Sequence, residues 1–155
     1  MKNTCCFIGH RNIGQTEKLE NILTEIIENL ILCKKINTFL FGSKSEFNRL
    51  CYKKVTESKK KFPHIKRVFV RAEYPFINDD YKEYLLGIYE DTYYPDNILK
   101  AGRAVYVERN FEMIRDSSVC VFYYKDDYRV QGRKSGTKIA YDYAVRLNKE
   151  IIRVK

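Results

Sequence analysis

Five short runs of almost unbroken apolar residues alternate with segments whose apolar residues recur at helical spacing, and this alternation restricts the fold more than any other feature. The runs cover residues 4–8, 38–41, 67–71 around Val68-Phe69-Val70, 119–123 and 150–154. Strands without polar alternation are buried on both faces, as in a parallel sheet covered by helices. Between the first two runs, Leu19, Ile22, Leu23, Ile26, Ile27, Leu30 and Ile31 form one helical stripe behind Thr16, a good N-cap. A second helix is expected from about Ser45, with Phe47, Leu50, Cys51, Val55 and Phe62 inward and Pro63 as its stop. Helical spacing returns over 106–115 and over 136–147, where Ile139, Ala140, Tyr143, Ala144 and Leu147 face inward. The expected fold is α/β: one Rossmann-like three-layer domain over residues 1–155, with a mainly parallel sheet of about five strands and helices on both faces.

Residues 72–104 break the pattern. Seven of the thirteen tyrosines lie between Tyr74 and Tyr106, and only 79–86 reads as a short helix. Long irregular connections in compact domains tend to carry function. This one is expected either to fold over a pocket as a partial lid, with a tyrosine stacked on a ring, or to form an aromatic satellite core or self-association surface.

No stretch reaches the roughly 18 apolar residues needed to cross a bilayer. The N-terminal run is too short for a signal-peptide core, so a cytoplasmic protein is expected, without a membrane partner. Cys5, Cys6, Cys33, Cys51 and Cys120 have no metal or redox spacing and read as reduced thiols, mostly in the core. No metal-ligand cluster and no cofactor motif is present. The chain carries +9, densest at Lys53, Lys54, Lys59, Lys60, Lys61, Lys66 and Arg67. Such an excess attracts polyanions, and this stretch is either a solvated face or a nucleic-acid footprint.

In open parallel sheets, ligands bind beyond the carboxyl ends of the strands. Four polar loops leave those ends: Gly9-His10-Arg11-Asn12, Gly42-Ser43-Lys44-Ser45-Glu46, Arg71-Ala72-Glu73-Tyr74, and 124–137 with Ser135-Gly136-Thr137 at a helix start. Glycine admits close backbone approach, and a helix N-terminus offers free N–H groups to an anion. Gly42-Ser43-Lys44-Ser45 and Ser135-Gly136-Thr137 meet these needs, although both are also ordinary turn and capping chemistry. His10 is either a ligand contact or a loop-fixing hydrogen-bond partner. Arg11, Lys44 and Arg109 could converge on one anion. Neither a G-x-G-x-x-G fingerprint nor a Walker A motif occurs.

Taken together, Cys6-Phe7-Ile8-Gly9-His10-Arg11, Glu73-Tyr74-Pro75, Glu108-Arg109-Asn110-Phe111-Glu112-Met113-Ile114 with Ser117-Ser118, and Ser135-Gly136-Thr137 with Ala140-Tyr141 and Ala144 resemble the SLOG superfamily. This is the Rossmann-like group that includes the LOG phosphoribohydrolases and DprA, and the closest likeness is to its stand-alone YpsA-like bacterial family. The resemblance implies a nucleotide-related ligand held by Gly9, His10, Arg11, Gly42, Ser43, Lys44, Glu73, Tyr74, Arg109, Asn110, Ser135, Gly136 and Thr137. It also implies a homodimer. Arg109 and Met113 match the LOG Arg-Lys-x-x-Met segment, but the catalytic glutamate position falls on Ala140. Alanine can serve neither as nucleophile nor as base.

Three functions follow as expectations. The first is a module that binds a nucleotide or nucleotide-derived phosphorylated ligand. The second is an enzyme that cleaves or transfers an N-glycosidic bond, with Glu46 as candidate catalytic carboxylate. The third is DprA-like binding of single-stranded nucleic acid.

Overall fold

The computed structural model describes residues 3–126 and 135–155. Six strands form one sheet: β1 (Thr4–Gly9), β2 (Thr38–Phe41), β3 (Lys66–Val70), β4 (Asp91–Tyr93), β5 (Val119–Tyr123) and β6 (Glu150–Arg153). Their order is β4-β3-β2-β1-β5-β6, and all five pairings are parallel. Five helices connect them: α1 (Glu17–Cys33), α2 (Glu46–Lys59), α3 (Asp79–Leu86), α4 (Val105–Arg115) and α5 (Gly136–Arg146). Among the described residues, no helix is long and apolar enough to cross a membrane.

Strand alternation sorts the core into two layers. Cys5 and Phe7 of β1, with Val119 and Val121 of β5, face α1 and α2. Cys6 and Ile8, with Cys120 and Phe122, face α4 and α5 through Met113, Ile114, Ala140 and Ala144. The helix-period stripe of α1 buries Leu19, Leu23, Ile27, Leu30 and Ile31, and Thr16 accepts the Leu19 N–H as its N-cap (3.1 Å). Four of the five thiols are buried and all five are free; burial pushes the Cys5 and Cys51 thiols well up, as expected of core side chains.

The expected α/β fold with a parallel sheet of about five strands is present, and three details differ. The sheet has a sixth strand, β4, which carries the sequence Asp-Thr-Tyr and has no apolar run to announce it. It pairs with β3 at Val68↔Asp91, Phe69↔Thr92 and Val70↔Tyr93, and the Thr92 hydroxyl donates to the Phe69 carbonyl (2.7 Å). α2 stops at Lys59, four residues before Pro63, where Lys59 Nζ reaches the Pro63 and Ile65 carbonyls (2.9 and 2.7 Å). Leu147 lies past the end of α5, beside the left-handed Asn148 (φ 55°), and is 40% exposed.

β1 passes into its loop at Gly9. A β-carbon there would lie inside the side chain of Phe47, which is fully buried among Phe7 and Tyr123. Gly9→Ala is therefore expected to destabilise the protein by about 1–3 kcal/mol, read as a lower urea midpoint at unchanged slope.

Candidate functional site

The loops that follow β1, β2 and β3 enclose, with α4, a cleft of about 670 Å³ at the carboxyl end of the sheet. That volume suits a small-molecule ligand. Arg11 comes from the first loop, Gly42, Ser43 and Lys44 from the second, and Glu73, Tyr74, Phe76 and Asn78 from the third. Tyr81 of α3 and Tyr106 and Arg109 of α4 complete the wall.

Arg109 is the most unusual member. Its side chain lines the cleft yet is only 6% exposed. Nε donates to Asn110 Oδ1 (3.1 Å), and the guanidinium lies 5.9 Å from the Tyr106 ring centre. Among the described residues no carboxylate pairs with it. Burial alone draws its pKa down to about 10, which leaves it cationic at neutral pH. A buried charge without a counter-ion costs several kcal/mol of desolvation.

Gly42 makes this position possible. A β-carbon there would stand 2.5 Å from Met113 Sδ and 2.7 Å from Arg109 Cδ, so only glycine lets α4 lay its arginine across the end of β2. Asn48, wholly buried on α2, holds the loop in place. Its Oδ1 accepts from the Gly42 and Ser43 amides (3.1 and 3.4 Å), and its Nδ2 donates to the Phe7 carbonyl (3.1 Å). Ser43 Oγ in turn accepts the Ser45 amide, and Ser45 caps α2 through the Asn48 amide (3.1 Å). Of the expected cradle Gly42-Ser43-Lys44-Ser45, the Gly42, Ser43 and Ser45 amides are thus spent on internal hydrogen bonds. The Ser43 hydroxyl is engaged as well, donating to Ser45 Oγ (2.9 Å), and what this loop turns to the cleft is the Lys44 side chain, whose Nζ sits 5.2 Å from the Tyr81 ring centre.

Glu73 is also engaged. It receives both Arg71 Nη2 (2.7 Å) and Nε (3.2 Å), plus the Asn78 amide (3.1 Å), while Arg71 Nη2 donates to the Asn78 carbonyl (2.9 Å). This nearly buried pair closes the 73–78 loop, which contains the cis Tyr74-Pro75 peptide. The loop holds Tyr74 and Phe76 at the cleft mouth; Phe76 is 73% exposed. Burial, and then the Glu73 charge, push the Tyr81 phenol upward, so it is a neutral donor at physiological pH.

Other predicted residues fall outside the cleft lining. His10 is buried, and its Nε2 accepts the Lys125 amide (2.9 Å) between the rings of Tyr123 and Tyr124. This bond joins the ends of β1 and β5. Gly9 sits behind it against Phe47. Asn110 acts on the cleft through Arg109. Glu46, in the first turn of α2, gives its amide to the Arg11 carbonyl (2.9 Å), and its carboxylate is not part of the wall. Ser135 caps α5 by accepting the Lys138 amide (3.0 Å), with Gly136 exposed and Thr137 buried in the first turn. Much of the loop that leads to them, 127–134, lies outside the described residues.

Sequence reading missed Asn48, which shapes the cleft, and among its lining residues Phe76, Asn78, Tyr81 and Tyr106. Asn48 had a signal: it shares the i, i+3, i+7 stripe of Cys51 and Val55, where a polar residue must find buried partners. No family model matches this chain, and no curated protein matches it, so the functional reading rests on the geometry.

Two outcomes follow. Asn48→Ala strips partners from two amides and a carbonyl, and is expected to cost about 2–4 kcal/mol in urea unfolding. Arg109→Met removes an uncompensated buried charge at similar volume. It should stabilise the ligand-free protein by about 1–3 kcal/mol, seen as a higher melting temperature.

Proposed function

We propose that the cleft binds a phosphate-bearing nucleotide or nucleotide-derived molecule, and that the chain is a SLOG-like binding module. One observation carries this reading: Arg109, a buried cation that pairs with no carboxylate among the described residues, faces a cleft that also holds Arg11 and Lys44. An anion entering there would replace the water the guanidinium lacks, and a charge-assisted, bidentate contact is strongest where water is excluded. Tyr74, Phe76, Tyr81 and Tyr106 supply faces on which a base could stack. The anion would be met mainly by side chains, since Asn48 occupies the Gly42 and Ser43 amides.

Two features weigh against glycosidic-bond hydrolysis. Ala140, at the position of the LOG glutamate, is packed in the core, and the cleft's carboxylate, Glu73, is neutralised by Arg71. The DprA-like reading loses support too. Lys53 and Lys54 pair with Glu20, Lys61 with Glu28 and Arg67 with Glu90, so the densest basic stretch is partly compensated. A cytoplasmic setting suits the buried free thiols.

The test combines thermal shift with assay of free base, using nucleoside monophosphates, cyclic nucleotides, NAD and inorganic phosphate. Stabilisation of about 2.7 kcal/mol at a ligand concentration of 100 Kd is expected, without base release, and Arg109→Met should abolish it. Equal shifts for the wild type and Arg109→Met would refute the site. Base release lost in Glu46→Gln would replace binding by catalysis.

A further inference from the structure

The cleft is unbalanced in charge. Arg11, Lys44 and Arg109 line it, and among the described residues none of the three pairs with a carboxylate. The acid of its wall, Glu73, is cancelled by Arg71 Nη2 and Nε (2.7 and 3.2 Å). A guest therefore meets three uncompensated cations.

These cations stand at two depths. Arg109 is buried, whereas Arg11 and Lys44 reach the cleft from loops and are exposed. Tyr81 links the two levels. Lys44 Nζ lies 5.2 Å from its ring centre, and while burial pushes its phenol up, the Arg109 charge works against that rise. A phosphate monoester carries about −1.5 to −2 at neutral pH, and a second phosphoryl group adds about one more charge. One phosphoryl group held on Arg109 leaves the two outer cations to water. A second, joined to the first through a bridging oxygen, extends outward toward them.

The surface around the cleft sets an upper limit on the guest. Residues 73–98 contain seven acidic side chains and one basic one, Lys82, in a chain of net charge +9. Asp79, Asp80 and Glu83 are exposed on α3, the helix that gives Tyr81 to the wall. A long polyanion crossing the mouth would run over these acids, and like charges brought together are disfavoured. A compact anion avoids them.

We infer that the cleft takes a nucleoside diphosphate: its terminal phosphoryl group on the buried Arg109, the next one between Lys44 and Arg11, and the nucleoside toward the exposed rings of Tyr74 and Phe76. This inference rests on the reading of the cleft as a nucleotide site and names the phosphate chain that the site accepts.

Isothermal titration calorimetry on the full chain tests it, with inorganic phosphate, pyrophosphate, and the cyclic, mono- and diphosphates of one nucleoside. The diphosphate should bind about tenfold tighter than the monophosphate, pyrophosphate about tenfold tighter than phosphate, and the singly charged cyclic nucleotide most weakly of the three nucleotides. Arg11→Gln/Lys44→Gln, confined to exposed side chains, should weaken the diphosphate about tenfold more than the monophosphate. Arg109→Met should abolish binding of both. Equal affinity for mono- and diphosphate overturns the inference and leaves the nucleotide reading standing. So does a diphosphate preference that persists in the Arg11/Lys44 double variant, or a single-stranded oligonucleotide that binds more tightly than the diphosphate. Pyrophosphate as tight as the nucleoside diphosphate removes the nucleoside, and with it the nucleotide reading. Absence of binding by every one of these anions ends both.

Discussion

Arg109 crosses the end of β2 at the one place where that strand passes into its loop without a side chain. Its position needs four other residues. Gly42 leaves the space, Met113 packs beside it one turn along α4, Asn110 fixes its Nε, and Asn48 holds the Gly42 and Ser43 amides from the other side of the sheet. The three layers therefore meet at a single loop. α2 reaches through the sheet with an asparagine, β1 contributes the Phe7 carbonyl, and α4 delivers a cation. These contacts are buried or partly buried and hold the loop from both sides of the sheet, so it has little freedom to adapt. Such rigidity costs stability in the empty protein, because an uncompensated guanidinium is retained in the interior. Under the proposed function, a bound anion would recover that energy.

The general rule for open α/β sheets places ligands at the topological switch point, where strand order reverses. Here the reversal falls between β1 and β5. His10 fills much of that position, its ring held between Tyr123 and Tyr124 and its Nε2 tied to the Lys125 amide. The cleft opens instead one strand over, above β2 and β3, with Arg11 as the β1 contribution. The displacement has a steric origin. Three aromatic side chains stand at the ends of β1 and β5, whereas β2 ends in glycine and β3 leads into a loop held out by Arg71 and Glu73.

The sheet and most of its helices were legible because burial on both faces leaves unbroken apolar runs, and helix faces repeat at their own period. β4 was not legible, since a three-residue edge strand with one buried residue needs no apolar run; its partner β3 imposes the pairing. At the site, the residues that converge were legible as cations, Arg11 and Lys44 at strand ends and Arg109 on a helix, and the three do line one cleft. Their roles were less so. Whether a serine or glycine amide is free for a ligand depends on its partner across the sheet, and Asn48 is 41 residues from the Phe7 carbonyl it binds. Glu73 was likewise a plausible ligand contact until its bidentate arginine was in view.

A strongly acidic segment beside a cleft suited to anions looks contradictory until the dielectric is considered. Glu73, the acid nearest the cleft, is cancelled by Arg71 at hydrogen-bonding distance. Asp79, Asp80 and Glu83 stand on the solvent side of α3, where water and salt reduce their reach to about 10 Å. Arg109 acts from the interior, where the same unit charge produces a several-fold larger interaction at equal distance. The potential felt by a guest in the cleft is therefore set by one buried cation more than by the surface acids around it. The outer face of α3 remains free to display a charge of the opposite sign.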